Sequence, residues 1–282
     1  MKTLVQLHVS ELPVELREAM RQLNPNGNSV GDMYDCELNL DDARLAAIEA
    51  KLAKHGYRRW RGDSERNRKT EYSVNFIRAY DEADFKQMEY LELHYPYEEE
   101  LHDGFPGGVK ERVIGGKDII DGRDFYATLS AVMIVPARTR QLLEPSELIG
   151  LSFAPVTVDP NGSGPYNYDR RRRKMPIKGM PFWEIVPTVK LPPVSTTMEL
   201  ADLKLNPLPP GDESANYTER EWPYNFAELH FRRSDIEAMP PFDVARTREH
   251  FLRTPRTIVS RRFYQTCRDF GLRGQWVPVH LD

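Results

Sequence analysis

Two stretches of the chain tell the same local story. Ile134-Val-Pro-Ala-Arg-Thr-Arg-Gln, continuing through Leu148, Gly150, Pro155 and Val156, can be laid on Ile258-Val-Ser-Arg-Arg-Phe-Tyr-Gln, continuing through Leu272, Gly274, Pro278 and Val279, with one gap near the end. In each, an apolar strand end (Met133 to Val135; Thr257 to Val259) meets a residue type that starts helices, Pro136 at a first helical position or Ser260 as an N-cap. A helix of about ten residues follows. It ends near Glu147 or Gly271, and Phe153 or Trp276 begins a closing strand that finishes on Pro-Val. Two strand-helix-strand units (about 125–158 and 250–282), with matched residues 124 positions apart (134 to 258), suggest a duplicated or pseudo-symmetric region. The span is too long for a solenoid period, and chance likeness of two short segments is the competing reading.

The front of the chain reads differently. Tyr34, Cys36, Leu38 and Leu40 alternate with polar residues as in a strand with one buried face. Asp41 and Asp42 then suit a helix N-terminus, Leu45, Ile48 and Leu52 repeat at helical spacing, and Gly56 can take the left-handed stop. Tyr72, Val74 and Phe76 alternate again, Asp81 caps a short helix through Phe85 and Met88, and Tyr90, Leu91 and Leu93 read as another short strand. The expectation is an α+β protein. A small α/β layer occupies residues 1–105, with a helix covering a sheet, and a strand-helix-strand region occupies residues 106–282. Phe182, Trp183, Ile185 and Val186 with Val189 and Leu191 suit a buried strand or two.

Composition narrows the class. With 282 residues, 40% hydrophobic and 29% charged, the chain can bury a sizeable core and is not disordered. No stretch approaches the roughly 20 apolar residues of a spanning helix, and Glu11, Pro13 and Glu15 interrupt any signal-like run, so a cytoplasmic protein is expected. Cys36 and Cys267 are too far apart for a zinc ribbon or a disulfide scaffold and fit a reducing compartment. The 22 prolines cluster between 155 and 241, which predicts long irregular connections there. Residues 1–160 hold 20 basic against 28 acidic side chains, and residues 161–282 hold 19 against 15. An acidic front suits a basic partner, although solubility alone explains an excess of this size.

Chemistry is sparse. His94, Glu98 and His102 have the spacing of metal ligands on a helix, but Pro96 undermines that helix, so no metal and no cofactor is expected. There is no Gly-x-Ser-x-Gly elbow, no phosphate-binding Gly-x-x-x-x-Gly-Lys loop and no dinucleotide fingerprint, so no catalytic residues are assigned. Cys267 falls at helix spacing from Phe263 and Phe270, as a buried core thiol does. Arg170, Arg171, Arg172, Arg173 and Lys174, with Tyr166, Tyr168 and Met175 beside them, could hold phosphates and stack on bases. Against that, a pI near 6 is unusual for a nucleic-acid binder.

Three C-terminal segments carry a recognisable pattern: Pro241-Phe-Asp-Val-Ala-Arg-Thr-Arg, Thr257-Ile-Val-Ser-Arg-Arg-Phe-Tyr and Phe270-Gly-Leu-Arg-Gly-Gln-Trp-Val-Pro-Val. The pattern resembles the C-terminal signature of bacterial immunity-type proteins found beside polymorphic toxins, including myxobacterial paralogues with a double Cys-x-x-Cys-Gly motif. This chain has no Cys-x-x-Cys pair, so the zinc-binding element of those paralogues is absent. The resemblance implies an immunity protein that neutralises a cognate toxin by direct binding, through a few aromatic and arginine anchors within a polar rim. Candidate anchors are Trp60, Arg170, Arg171, Arg172, Arg173, Tyr217, Arg220, Trp222 and Tyr224, each able instead to fold back onto the protein. Trp183 and Trp276, in strand-like runs, are expected in the core. The rival readings are a hydrolase whose carboxylates assemble only in the fold, and a nucleic-acid-binding regulator using Arg170 to Lys174.

Overall fold

Alternation of Val5, Leu7 and Val9 with Gln6 and His8 makes the opening segment a half-buried strand, and it becomes an inner strand of a four-stranded sheet. The computed structural model describes residues 2–28, 32–59, 69–94, 103–104, 112–116, 119, 122–128, 132–159, 181–195, 203–206, 216–219, 228–251 and 254–282. The chain divides into two compact units, the first built on Met1–Asp84. This unit contains β1 (Lys2–Val9), α1 (Val14–Leu23), β2 (Tyr34–Asn39), α2 (Ala43–Lys54), β3 (Arg58–Arg59) and β4 (Glu71–Ala79), in the sheet order β2-β1-β4-β3. Leu16 and Met20 of α1 and Leu45, Ile48 and Leu52 of α2 pack on the face that carries Val5, Leu7, Tyr34, Cys36, Tyr72 and Val74. The Asp42 carboxylate caps α2 by accepting from the Arg44 amide (2.9 Å), and Gly56 (φ +83°) closes it. Asp81 caps α3 (Glu82–Lys86) by accepting from the amides of Ala83 and Asp84.

The second unit begins with β5 (Tyr90–His94), β6 (Asp103–Gly104), β7 (Arg112–Gly115), β8 (Tyr126–Ala127) and β9 (Met133–Pro136). Next come α4 (Ala137–Leu143), a single 3₁₀ turn over Glu144–Ser146, β10 (Leu151–Asp159), β11 (Phe182–Pro187) and β12 (Val189–Lys190). In chain order there follow β13 (Leu203–Asn206) and β14 (Asn216–Glu219), each divided between the units, and then, within the second unit, β15 (Leu229–Phe231), α5 (Arg233–Glu237), β16 (Val244–Phe251), β17 (Thr254–Ser260), α6 (Arg261–Asp269) and β18 (Gln275–Leu281). One sheet has the order β6-β7-β10-β11-β9-β8; the other runs β13-β14-β16-β17-β5-β18-β15, with β12 beside β16. Helices and sheets of this kind make the chain α+β, as its patterning implied.

Two placements differ from the linear reading. The N-terminal stretch of the first unit runs over Met1–Asp84, where the linear reading set a limit near residue 105. β5 does not extend the N-terminal layer: it pairs antiparallel with β17 on one side and β18 on the other. The reason is chemical. Leu91 and Leu93 are both buried, and their ladder partners Val259 and Trp276 belong to one apolar core that strands of the first unit do not share.

That core takes residues from both strand-helix-strand segments. Val135, Leu143 and Leu148 meet Val259, Phe263, Cys267 and Leu272, with Ile185 of β11 and Leu91 and Leu93 of β5 between them. Burial of each such side chain contributes about 1.5–3 kcal/mol. Trp183 and Trp276 are half-buried against the same cluster, and Tyr264 and Phe125 meet the Trp276 ring edge-on at 5.2 and 6.4 Å. Glu147 (φ +50°) ends the first helical segment and Gly271 (φ +67°) the second.

Candidate partner-binding surface

Two of the three C-terminal segments, Pro241–Arg248 and Thr257–Tyr264, meet at one buried carboxylate, Asp243. Ser260 Oγ donates to its Oδ1 at 2.6 Å, while Arg262 Nη1 and the Ile149 amide both donate to its Oδ2 at 2.9 Å. Ser260 also caps α6 by accepting from the Phe263 amide, and Arg262 Nη2 donates to the Ser146 carbonyl at 3.0 Å. Asp243, Ser260 and Arg262 therefore hold a turn, a helix start and a strand start together.

The same node fixes a projecting apolar side chain. The Ile149 carbonyl accepts from the amides of Asp243 (2.7 Å) and Val244 (3.0 Å), and its own amide is held by the Asp243 carboxylate. Gly150 follows in the left-handed region (φ +86°) with its α-carbon against the Val244 carbonyl. With both backbone groups pinned, Ile149 still leaves 48% of its surface exposed. An exposed β-branched side chain on a rigid turn loses little freedom on binding, which is what a contact anchor requires. Linear reasoning missed it, because an isoleucine next to a helix end reads as core.

The other candidate positions divide plainly. Trp60, Arg170, Arg171, Arg172, Arg173, Arg220, Trp222 and Tyr224 lie outside the described residues. Tyr217 lies on β14, where the backbone ladder sets it opposite Phe251. His94 ends a strand rather than a helix, with Nδ1 3.3 Å from Glu92, and Glu98 and His102 are outside the described residues. No group of His, Cys, Asp or Glu among the described residues is arranged to hold a metal ion. Between α1 and α2 a groove of about 420 Å³ is floored by Ala19, Leu23, Ala47 and Ala50 and edged by Lys51 and Lys54. Both lysines sit in the last turn of α2, where they complement the helix dipole.

The titratable groups are set by burial and pairing. Desolvation pushes the Cys267 and Cys36 thiols up, so neither is a ready nucleophile. Burial pushes Glu92 up, but Arg256 at 3.4 Å and His94 together outweigh it and hold the carboxyl below its ordinary value. On β15 and β18, His230 stacks on His280 (4.7 Å between centroids), with Asp282 against the first and Glu228 against the second.

Glu249 is the exception. It is 5% exposed, one oxygen accepts from the Val194 amide, and Oε2 has no partner among the described residues, so desolvation raises its pKa. A carboxyl raised on folding opposes stability once it ionises. Glu249→Gln is thus expected to stabilise the protein at pH 8. The gain fades as pH falls through the folded pKa and vanishes below the ordinary carboxylate range. Urea midpoints of both proteins at pH 4 and pH 8 check this, and an equal difference at the two pH values would refute the assignment.

No family model, curated protein or solved structure matches the chain. No helix among the described residues is long and apolar enough to cross a membrane.

Proposed function

We propose that this is an immunity protein that neutralises a cognate bacterial toxin by direct protein–protein binding in the cytoplasm. The observation that carries the reading is the Asp243 node: Asp243, Ser260 and Arg262 are spent on architecture, and the turn they hold presents Ile149, a fixed and exposed apolar side chain. A protein working by occlusion needs such a surface and no catalytic constellation. Apolar burial at the centre of an interface dominates affinity, while rim charges steer the encounter.

The test is co-expression with the product of the adjacent reading frame, scoring host growth and co-purification together. Rescue with a stable complex supports the reading; a toxic neighbour that is neither rescued nor bound overturns it. Ile149→Asp is expected to weaken the complex at least tenfold, about 1.4 kcal/mol or more, while leaving the melting transition nearly unchanged. Titration of the purified variant against the toxin, alongside its thermal melt, separates a contact residue from a folding defect.

A further inference from the structure

The ladder registers of the second unit coincide to the residue. In the hairpin β8–β9, Tyr126 lies opposite Ile134 and Ala127 opposite Met133; in β16–β17, Ala245 lies opposite Ile258 and Arg246 opposite Thr257. Each hairpin leads into a helix and then a closing strand, yet β9 never pairs with β10, nor β17 with β18. A third strand runs antiparallel between the members of each pair. On β11, Trp183 sits between Val135 and Pro155 and Glu184 between Ile134 and Ala154. On β5, Leu91 sits between Val259 and Pro278 and Glu92 between Ile258 and Val277. The two central glutamates match in chemistry as well, Glu184 pairing with Arg112 and Glu92 with Arg256.

Matching contacts join the halves crosswise. Asp124 accepts from Arg138, in the helix of its own segment, and from the Arg273 amide, in the turn after the other helix. Asp243 accepts from Arg262, in its own helix, and from the Ile149 amide, in the turn after the first. Arg138 and Arg262 are equivalent positions, as are Ile149 and Arg273, each pair being 124 positions apart (138 to 262; 149 to 273). Arg140 lies over Phe153 at 5.8 Å where Tyr264 meets Trp276 at 5.2 Å.

Chain order gives the arrangement its meaning. β5 precedes the segment β8-β9-α4-β10, and β11 precedes β16-β17-α6-β18, so each repeat consists of a leading strand, a hairpin, a helix and a closing strand. Each leading strand is built into the sheet of the other repeat. We infer that the second unit is an internal duplication whose two repeats exchange their leading strands, a strand-swapped dimer within one chain, bolted by the crossed aspartates Asp124 and Asp243. Among the described residues the exchanged strand carries the only ladder that joins a repeat's hairpin to its closing strand, so a repeat deprived of it exposes edges on both. The two repeats therefore fold and unfold as one body.

The experiment uses the full chain with a protease site placed between Asp159 and Pro181, cleaved after folding. The two pieces are expected to co-elute at the mass of the uncut protein in native buffer and to part only in denaturant. In the uncut chain, Asp124→Asn is expected to speed hydrogen exchange at the Arg273 amide, and Asp243→Asn at the Ile149 amide, roughly tenfold or more, each in the opposite repeat. Cleaved pieces that separate in native buffer while keeping their own protected amides overturn the inference. So do exchange changes confined to the repeat that bears the substitution, a readout that stands even if the cleavable variant does not fold.

Discussion

Asp243→Ala is expected to lower the stability of the protein by about 3 kcal/mol. The carboxylate is 4% exposed and accepts from a guanidinium, a hydroxyl and a backbone amide. Removing one partner of a buried charged network costs about 3–5 kcal/mol when the remaining groups are left unpaired. The Arg262 side chain is 54% exposed and can return to water, which places the expectation at the lower end of that range. Ser260 and the Ile149 amide cannot recover their partner so easily. Asp243→Asn should fall between wild type and alanine, because an amide oxygen can still accept from the Ile149 amide while the attraction to Arg262 is gone. Urea denaturation followed by far-ultraviolet circular dichroism measures all three proteins, and a loss below about 1 kcal/mol for alanine would show that the node is peripheral.

How much of this was legible in the linear sequence depended on distance along the chain. Local signals were reliable: Asp42 and Ser260 are side-chain caps, Gly56 and Gly271 are left-handed stops, and Glu147 ends the first helical segment as its position suggested. In α1, Leu16, Met20 and Leu23 repeat at helical spacing after Pro13, a local signal of the same kind. Long-range pairing was out of reach. Nothing near Leu91 states that its ladder partners lie at Val259 and Pro278, since an apolar-polar-apolar triplet fits any half-buried strand. Asp124 and Asp243 were equally silent: each sits outside a helix or strand, and its importance comes from an amide supplied by a turn far away in sequence. Ile149 could be recognised as exposed only once both its backbone groups had been traced to the Asp243 strand entry.

The glycine after that isoleucine gives the second large effect. Gly150→Ala is expected to cost about 3 kcal/mol, whereas Gly271→Ala, also at positive φ, should cost about 1 kcal/mol. Both substitutions strain the backbone. Only at Gly150 would the added methyl collide with a main-chain atom, the Val244 carbonyl oxygen, with Val189 Cγ2 at 3.1 Å on the same side; at Gly271 nothing lies within 4 Å. The Val244 carbonyl cannot withdraw without moving a residue whose amide is held by Ile149 and which pairs with Val259, so the clash spreads into the β16–β17 ladder. Thermal melts of the two variants should therefore rank far apart despite identical chemistry of substitution. Because the same backbone fixes Ile149, the proposed immunity function implies that Gly150→Ala also weakens binding of the proposed toxin partner at temperatures where the protein is still folded. Gly271→Ala should not, and equal affinities for the two variants would separate the rigidity of the turn from the function of the surface it presents.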